Sequence, residues 1–217
     1  MTEIVVFDMD GTLLSNDSTK QWIKEALKDN VFRLSGAIFI MPIAIPLMKI
    51  KKYKSIGASL FLWLATVGLS DTELQESFIK FSEKIKAKSY DDLYWFMDGI
   101  QEMDKHIENG KKVIIVTAAP EILATVLVKS IGMNVNIIGT PLKKKIGGWI
   151  GGEHCRHKEK VRRLELQGIK GPWFATYSDD IEDDYPILIN SKNPYLINSD
   201  NKKIDNKLTN VIKLKWI

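Results

Sequence analysis

The chain has 217 residues, 45% apolar and 27% charged, with a formal net charge of +4. That balance excludes a disordered, collagen-like or fibrous chain, and at this length a core large enough to fold without disulfides is expected. Its single cysteine, Cys155, rules out an intrachain disulfide and any zinc site built on two or four cysteines.

In chain order, Ile4 to Phe7 is a short apolar run that ends in Asp8-Met9-Asp10-Gly11-Thr12. A continuous run closed by a glycine-containing turn suits a strand buried on both faces of a parallel sheet. The run is too short for a secretory signal and is followed by acids, so a reducing, cytoplasmic setting is the expectation. About a hundred residues then separate this strand from the next apolar run, far more than a crossover helix needs. The excess reads as four helices, at 17–30, 31–49, 55–69 and 70–88, and Ser70 with Glu73 forms a capping box for the fourth. Residues 92–109 read as a helix stopped by Gly110. Lys112 to Val116, Val135 to Ile138 and Trp173 to Tyr177 are the next strands, with weaker candidates at Tyr195 to Ile197 and Val211 to Leu214. Between them, 121–131 shows helical spacing with Gly132 as its stop, and 157–166 reads as a short basic helix. The alternation predicts an α/β fold, a doubly wound parallel sheet of Rossmann-like form with an inserted helical cap. The predicted division is 1–14 and 91–217 for the catalytic core and 15–90 for the cap.

Ligands of such sheets bind at the carboxyl ends of the strands. Asp8 and Asp10 lie two residues apart on a turn opened by Gly11. An aspartate can accept a phosphoryl group, and a second can protonate the leaving alcohol and then activate water. Two carboxylates facing a phosphate require a cation, and an oxygen-rich set suits Mg²⁺. A solvated turn is the plain alternative; a calcium loop is not, because residue 19 is Thr where that loop needs Glu. Thr117 and Ala118 follow the second strand, where a hydroxyl and amides can hold phosphate oxygens, or where Thr117 caps the next helix. Lys158 stands near a helix start after Gly147, Gly148, Gly151 and Gly152, either to neutralise phosphate or as a solvated helix residue. Five acids occupy the six positions 179–184, either a solvated loop or metal ligands in the same layer as Asp8. His154, Cys155 and His157 lack the spacing of a zinc site.

In this order, Asp-x-Asp-Gly-Thr, Thr, Lys and an acidic cluster resemble the four motifs of the haloacid dehalogenase superfamily, over nearly the whole chain. The resemblance implies Asp8 as nucleophile and Asp10 as general acid/base. It implies Thr117, Ala118 and Lys158 as phosphate ligands, and Mg²⁺ held by Asp8, the Asp10 carbonyl and an acid of the last motif. Asp179 is the favoured acid and Asp180 the second choice, with Asp183 or Asp184 in support. The sequence has one residue too many here: Asp184 sits two before Pro186, whereas Tyr177-Ser178-Asp179 matches the residues around a metal aspartate. Insertion of the cap after the first motif is similar to the phosphoserine-phosphatase-like branch. Residues 51–75, Gly147-Gly148-Trp149 and 157–161 resemble the phosphatidylglycerophosphatase C group.

The net charge conceals segregation. Positions 20–54 carry eight basic residues and two acids, and 142–170 carry nine and three. Residues 36–48 and 55–70 are uncharged, with Lys49 to Lys54 between them. Each run is shorter than the ~20 residues of a membrane-spanning helix. A hairpin with apolar tips and a basic turn could enter an anionic membrane face, with Phe39, Phe61 and Trp63 as anchors; the alternative is that the runs form the cap's own core. The resemblance favours peripheral contact at the inner face of the cell membrane. The expected activity is Mg²⁺-dependent hydrolysis of a phosphomonoester, on a lipid phosphate such as phosphatidylglycerophosphate. The alternatives are a soluble phosphatase acting on phosphoserine or a sugar phosphate, and a non-catalytic binding protein. No nucleic-acid partner is expected, since the basic residues form no recognised module.

Overall fold

The computed structural model describes residues 2–50, 53–199, 208 and 210–217; Lys51 and Lys52 of the basic stretch lie outside them. Six strands form one sheet: β1 (Ile4–Phe7), β2 (Lys112–Pro120), β3 (Asn136–Thr140), β6 (Trp173–Ser178), β7 (Ser191–Ile197) and β8 (Ile212–Leu214). Their spatial order is β3-β2-β1-β6-β7-β8, and every pairing is parallel. The order reverses beside β1, which is the switch point at which such sheets bind ligands. Val5, Val6 and Phe7 are fully buried, as a central strand covered on both faces requires.

Four helices lie between β1 and the next core helix, α5 (Met97–Glu108): α1 (Ser18–Lys28), α2 (Val31–Lys49), α3 (Lys54–Thr66) and α4 (Asp71–Lys86). The capping box at Ser70 and Glu73 is formed in both directions. Trp22 of α1 and Phe78 and Phe81 of α4 belong to the same apolar cluster as Val5 and Phe7 of the sheet. The remaining helices among the described residues are α6 (Glu121–Ser130), α7 (Lys158–Leu166) and α8 (Tyr185–Ile189), and α4 packs on α6.

Two features depart from the sequence expectation. Residues 142–151 carry no strand pattern, yet β4 (Leu142–Lys145) and β5 (Gly148–Gly151) pair as an antiparallel hairpin. Its two-residue turn, Ile146-Gly147, has φ of 49° and 74°, the positive values that match strand twist. Secondly, α2 covers 31–49 as the sequence predicts, but the whole helix, and not the shorter uncharged run within it, sets the length to compare with a membrane span. Asn30 accepts hydrogen bonds from the amides of Phe32 and Arg33, which starts the helix a turn and a half earlier. The resulting 19-residue helix is long and apolar enough to cross a membrane by length and composition. Within it only Ala37 and Ala44 are buried. Phe32 is 88% exposed and Phe39 84%.

Candidate active site

The register of the sheet brings the predicted residues to one edge. Phe7 pairs with Ile115 on one side and Tyr177 on the other, so Asp8 lies level with the Thr117 loop and with Ser178-Asp179. The Asp8 amide donates to the Tyr177 carbonyl at 2.9 Å. The side chain of Asp8 is buried, and its Oδ1 accepts from Lys160 Nζ at 2.7 Å. Lys160 is 3% exposed and also donates to Asp184 Oδ2 at 2.9 Å. Ser178, fully buried, donates to the same Asp184 oxygen at 2.8 Å. One ammonium therefore bridges two buried carboxylates. Burial pushes the Asp8 carboxyl well up, Lys160 opposes this, and Asp184 and Asp179 raise it further. Burial works against the charge of Lys160, but Asp184 and Asp8 outweigh it and hold its pKa above the ordinary value.

This corrects the sequence reading of the basic helix. Lys158 is the first residue of α7 and is exposed; the lysine that reaches Asp8 is Lys160. Helical spacing explains it, because Lys160 and Leu164 are one turn apart and both buried. The spacing of 160 and 164 is present in the sequence, but which lysine is buried depends on what packs against α7.

The acidic loop also divides its labour. Asp179 accepts from the Thr12 hydroxyl at 3.1 Å while its amide donates back to that hydroxyl at 2.9 Å. Gly11 faces it: a Cβ there would lie 2.2 Å from Asp179 Oδ2, and φ of +84° already favours glycine. Thr12, fully buried, is a positioning residue that the sequence quoted without assigning a part. Asp180 is exposed, and its Oδ1 accepts from the amides of Glu182 and Asp183, so it shapes the turn instead of facing Asp8. Asp183 pairs with Arg156 at 3.1 Å and with His157 at 3.5 Å. The extra residue is thus absorbed in the turn, which leaves Asp179 beside Gly11 and Asp184 on Lys160.

Asp10 is held by α1, since the amide of Ser18, its first residue, donates to Asp10 Oδ1 at 3.1 Å. Burial, with Asp17 nearby, pushes its pKa up to about 7. Burial likewise raises Asp179 to about 6. Thr117 is buried, and its hydroxyl accepts from the Ala119 amide at 3.1 Å. It does not cap α6, whose N-cap is Pro120. Thr140 Oγ1 donates to the Ala118 carbonyl at 2.7 Å and accepts from the Cys155 amide at 3.1 Å, tying the Thr117 loop to the approach to α7. Cys155 is buried, which raises its thiol to about 12 and leaves it unreactive.

Among the described residues no three His, Cys, Asp or Glu side chains converge as a ready-made metal cluster. The donors there are instead two carboxylates, Asp8 and Asp179, and the charge of Asp179 raises the Asp8 carboxyl. A third carboxylate, Asp184, shares the lone lysine. An excess of buried negative charge on oxygen donors fits a hard divalent cation.

This strand-end geometry agrees with the comparisons to known proteins. Residues 5–188 match the family model described as haloacid dehalogenase-like hydrolase, and the chain belongs to that family. Protein CicA of Caulobacter vibrioides is 28% identical over 204 residues, which cover 89% of this chain and 86% of CicA. A Bordetella pertussis Tohama I protein of unknown function superposes with a TM-score of 0.71 at 20% identity, covering 92% of each chain. A phosphoserine phosphatase in its apo form superposes with a TM-score of 0.61 at 12% identity, covering 98% of this chain and 94% of its own.

Proposed function

We propose that the chain is a Mg²⁺-dependent phosphomonoesterase that works through an aspartyl-phosphate at Asp8. The observation that carries this reading is the buried Asp8–Lys160–Asp184 bridge with Asp10 beside it, raised to about 7. Asp8 is the nucleophile, attacking phosphorus in line. Lys160 orients its carboxylate and offsets the charge on the phosphoryl oxygens; Asp184 and Ser178 fix Lys160 in turn. Asp10, protonated in part near neutral pH, gives its proton to the leaving oxygen and then takes one from the incoming water. A group that must serve as acid and then as base works best with a pKa near the operating pH. The Thr117 hydroxyl and the amides of its loop hold the transferred group. Asp8, Asp179 and the Asp10 carbonyl would hold Mg²⁺, which supplies charge neutralisation when bound.

For the substrate, we favour a lipid phosphate such as phosphatidylglycerophosphate. The supporting observation is α2: a helix with large apolar side chains on solvent is one of the recurring marks of a membrane-facing surface. Lys24, Lys28 and Lys49 at its flanks suit an anionic face. The protein would then act from the cytoplasmic side as a peripheral component. A soluble phosphatase on phosphoserine is the second reading, supported by the likeness in fold to phosphoserine phosphatase.

Phosphate release with Mg²⁺ tests the reading against phosphatidylglycerophosphate in mixed micelles, phosphoserine and sugar phosphates. We expect turnover that Asp8→Asn abolishes while the circular dichroism spectrum is kept. An active Asn variant would remove the mechanism. Turnover of phosphoserine alone would remove the lipid assignment.

A further inference from the structure

A cleft of 490 Å³ lies between α3 and the β4–β5 hairpin, within the roughly 300–1,000 Å³ of small-molecule sites. Ile56 and Leu60 of α3 face Ile146 and Ile150 of the hairpin across it. Trp63 also lines it, with its Nε1–H already donated to the carbonyls of Lys145 and Ile146 at 2.9 and 3.1 Å. The indole therefore offers the cleft carbon surface.

The turn residue Ile146 is 83% exposed and held at φ 49°, a conformation that a β-branched side chain rarely adopts. An exposed apolar side chain retained in a strained turn points toward use. One edge is cationic, since exposed Lys145 lines the cleft and the Lys143 stem lies beside Gly152, while Lys144 pairs with Asp71. At the inner end His154 Nε2 is buried without a hydrogen-bond partner among the described residues.

Two contacts place the cleft between membrane-facing helix and chemistry. On one side of α3, Gly57 lets α2 approach: a Cβ there would lie 2.7 Å from the Ala44 carbonyl. On the inner side, a Cβ on Gly151 would lie 3.6 Å from the Thr140 methyl, and Thr140 Oγ1 is bonded to the Ala118 carbonyl. A single side chain thus separates the cleft wall from the loop proposed to hold phosphate.

We propose that this cleft takes the hydrocarbon chain of the phosphate ester whose phosphoryl group is held at Asp8. The inference rests on the phosphatase reading above and gives its lipid arm a specific site. A hydrocarbon chain matches walls made of Ile56, Leu60, Ile146, Ile150 and the Trp63 ring. A membrane surface alone would not need a concave apolar cleft.

Monomeric alkyl phosphates test it without any bilayer. With butyl to decyl phosphate, each kept below its micelle concentration, kcat/KM is expected to rise at least about tenfold across the series. Burying even two methylenes at about 0.8 kcal/mol each would suffice. Ser59→Trp, which fills the cleft, should flatten the series. Ile56→Asp, at a half-exposed position that tolerates charge, should flatten it by spoiling the mouth. A series that is flat in the parent chain, or equally steep in both variants, overturns the proposal. Hydrolysis of phosphatidylglycerophosphate alongside a flat alkyl series would leave the lipid reading standing and remove only the cleft. Failure to hydrolyse any alkyl or lipid phosphate, with phosphoserine hydrolysed, would remove the lipid reading and the cleft with it.

Discussion

Lys160 is the residue on which the site's electrostatics turn. It faces Asp8 at 2.7 Å and Asp184 at 2.7 Å, and all three are buried. Removing one partner of such a network leaves charge buried without compensation, which costs about 3–5 kcal/mol. Lys160→Met is therefore expected to lower both phosphate release and the midpoint of urea unfolding. Lys158→Ala, at an exposed position, should change stability by less than about 0.5 kcal/mol. Denaturant titration of the two variants side by side checks this. The raised carboxyls give a second expectation. Asp10 and Asp179 titrate at about 7 and 6 in the fold, against ~3.9 in an unfolded chain. The folded state then binds more protons than the unfolded one between pH 4 and 7. Their contribution to stability is present below pH ~4 and is lost as the pH rises through 6 and 7. Without divalent cation, Tm should fall over this window. Mg²⁺ should restore it more at pH 7.5 than at pH 5, because a cation binds the deprotonated carboxylates. Calorimetry at the two pH values decides, and an equal Mg²⁺ effect at both would contradict the assignment.

At the scale of elements, α2 and the β4–β5 hairpin are the parts that the sheet does not require. The contact line of α2 is narrow, with Ala37 and Ala44 seven residues apart and Gly36 against Leu64 of α3. Two turns of separation keep these small residues on one face, and the large side chains fall on the other. Phe39→Asp should consequently leave folding stability nearly unchanged, since the side chain touches little. It should reduce sedimentation with phosphatidylglycerol vesicles several-fold if α2 meets the membrane. Undiminished vesicle binding in this variant would show that α2 is not the contact. The hairpin, in contrast, is anchored: Trp63 bonds to its turn, and Thr66 Oγ1 accepts from the Trp149 amide at 2.8 Å. These bonds join β5 to α3, so cap helix and hairpin are one packed unit.

For the whole molecule, the continuous apolar cluster matters most. Trp22 packs edge-on against Phe78 with ring centroids 4.7 Å apart and donates to Ser77 at 3.0 Å. Both rings share a cluster with Phe7, the residue before Asp8. The inserted helices α1 and α4 are thus continuous with the sheet's core and should unfold with it. Coincident transitions by tryptophan fluorescence and far-UV circular dichroism are expected. Trp22→Ala should cost about 3–5 kcal/mol through the cavity left behind. Two resolved transitions would show a separately melting cap. The same continuity couples cap to chemistry, because the first amide of α1 orients Asp10.

The amino-acid pattern alone made the parallel sheet legible, with the expectation that Asp8, Asp10, Thr117 and Asp179 share its strand-end layer. It could do so because short apolar runs closed by glycine or acidic turns are local patterns, and three of the strand ends carry their own signal. Tertiary structure decided what depends on distant partners. It chose Lys160 over Lys158 and gave Asp184 to the lysine while Asp180 shapes the turn. It also built a hairpin from lysines and glycines that have no strand pattern. Which lysine is buried is settled by what packs on α7, and which aspartate faces Asp8 by how a six-residue turn folds. Neither is written in spacing alone. The apolar runs of the cap lie between these limits: their composition was legible, but only the fold shows that α2 presents its large side chains to the outside.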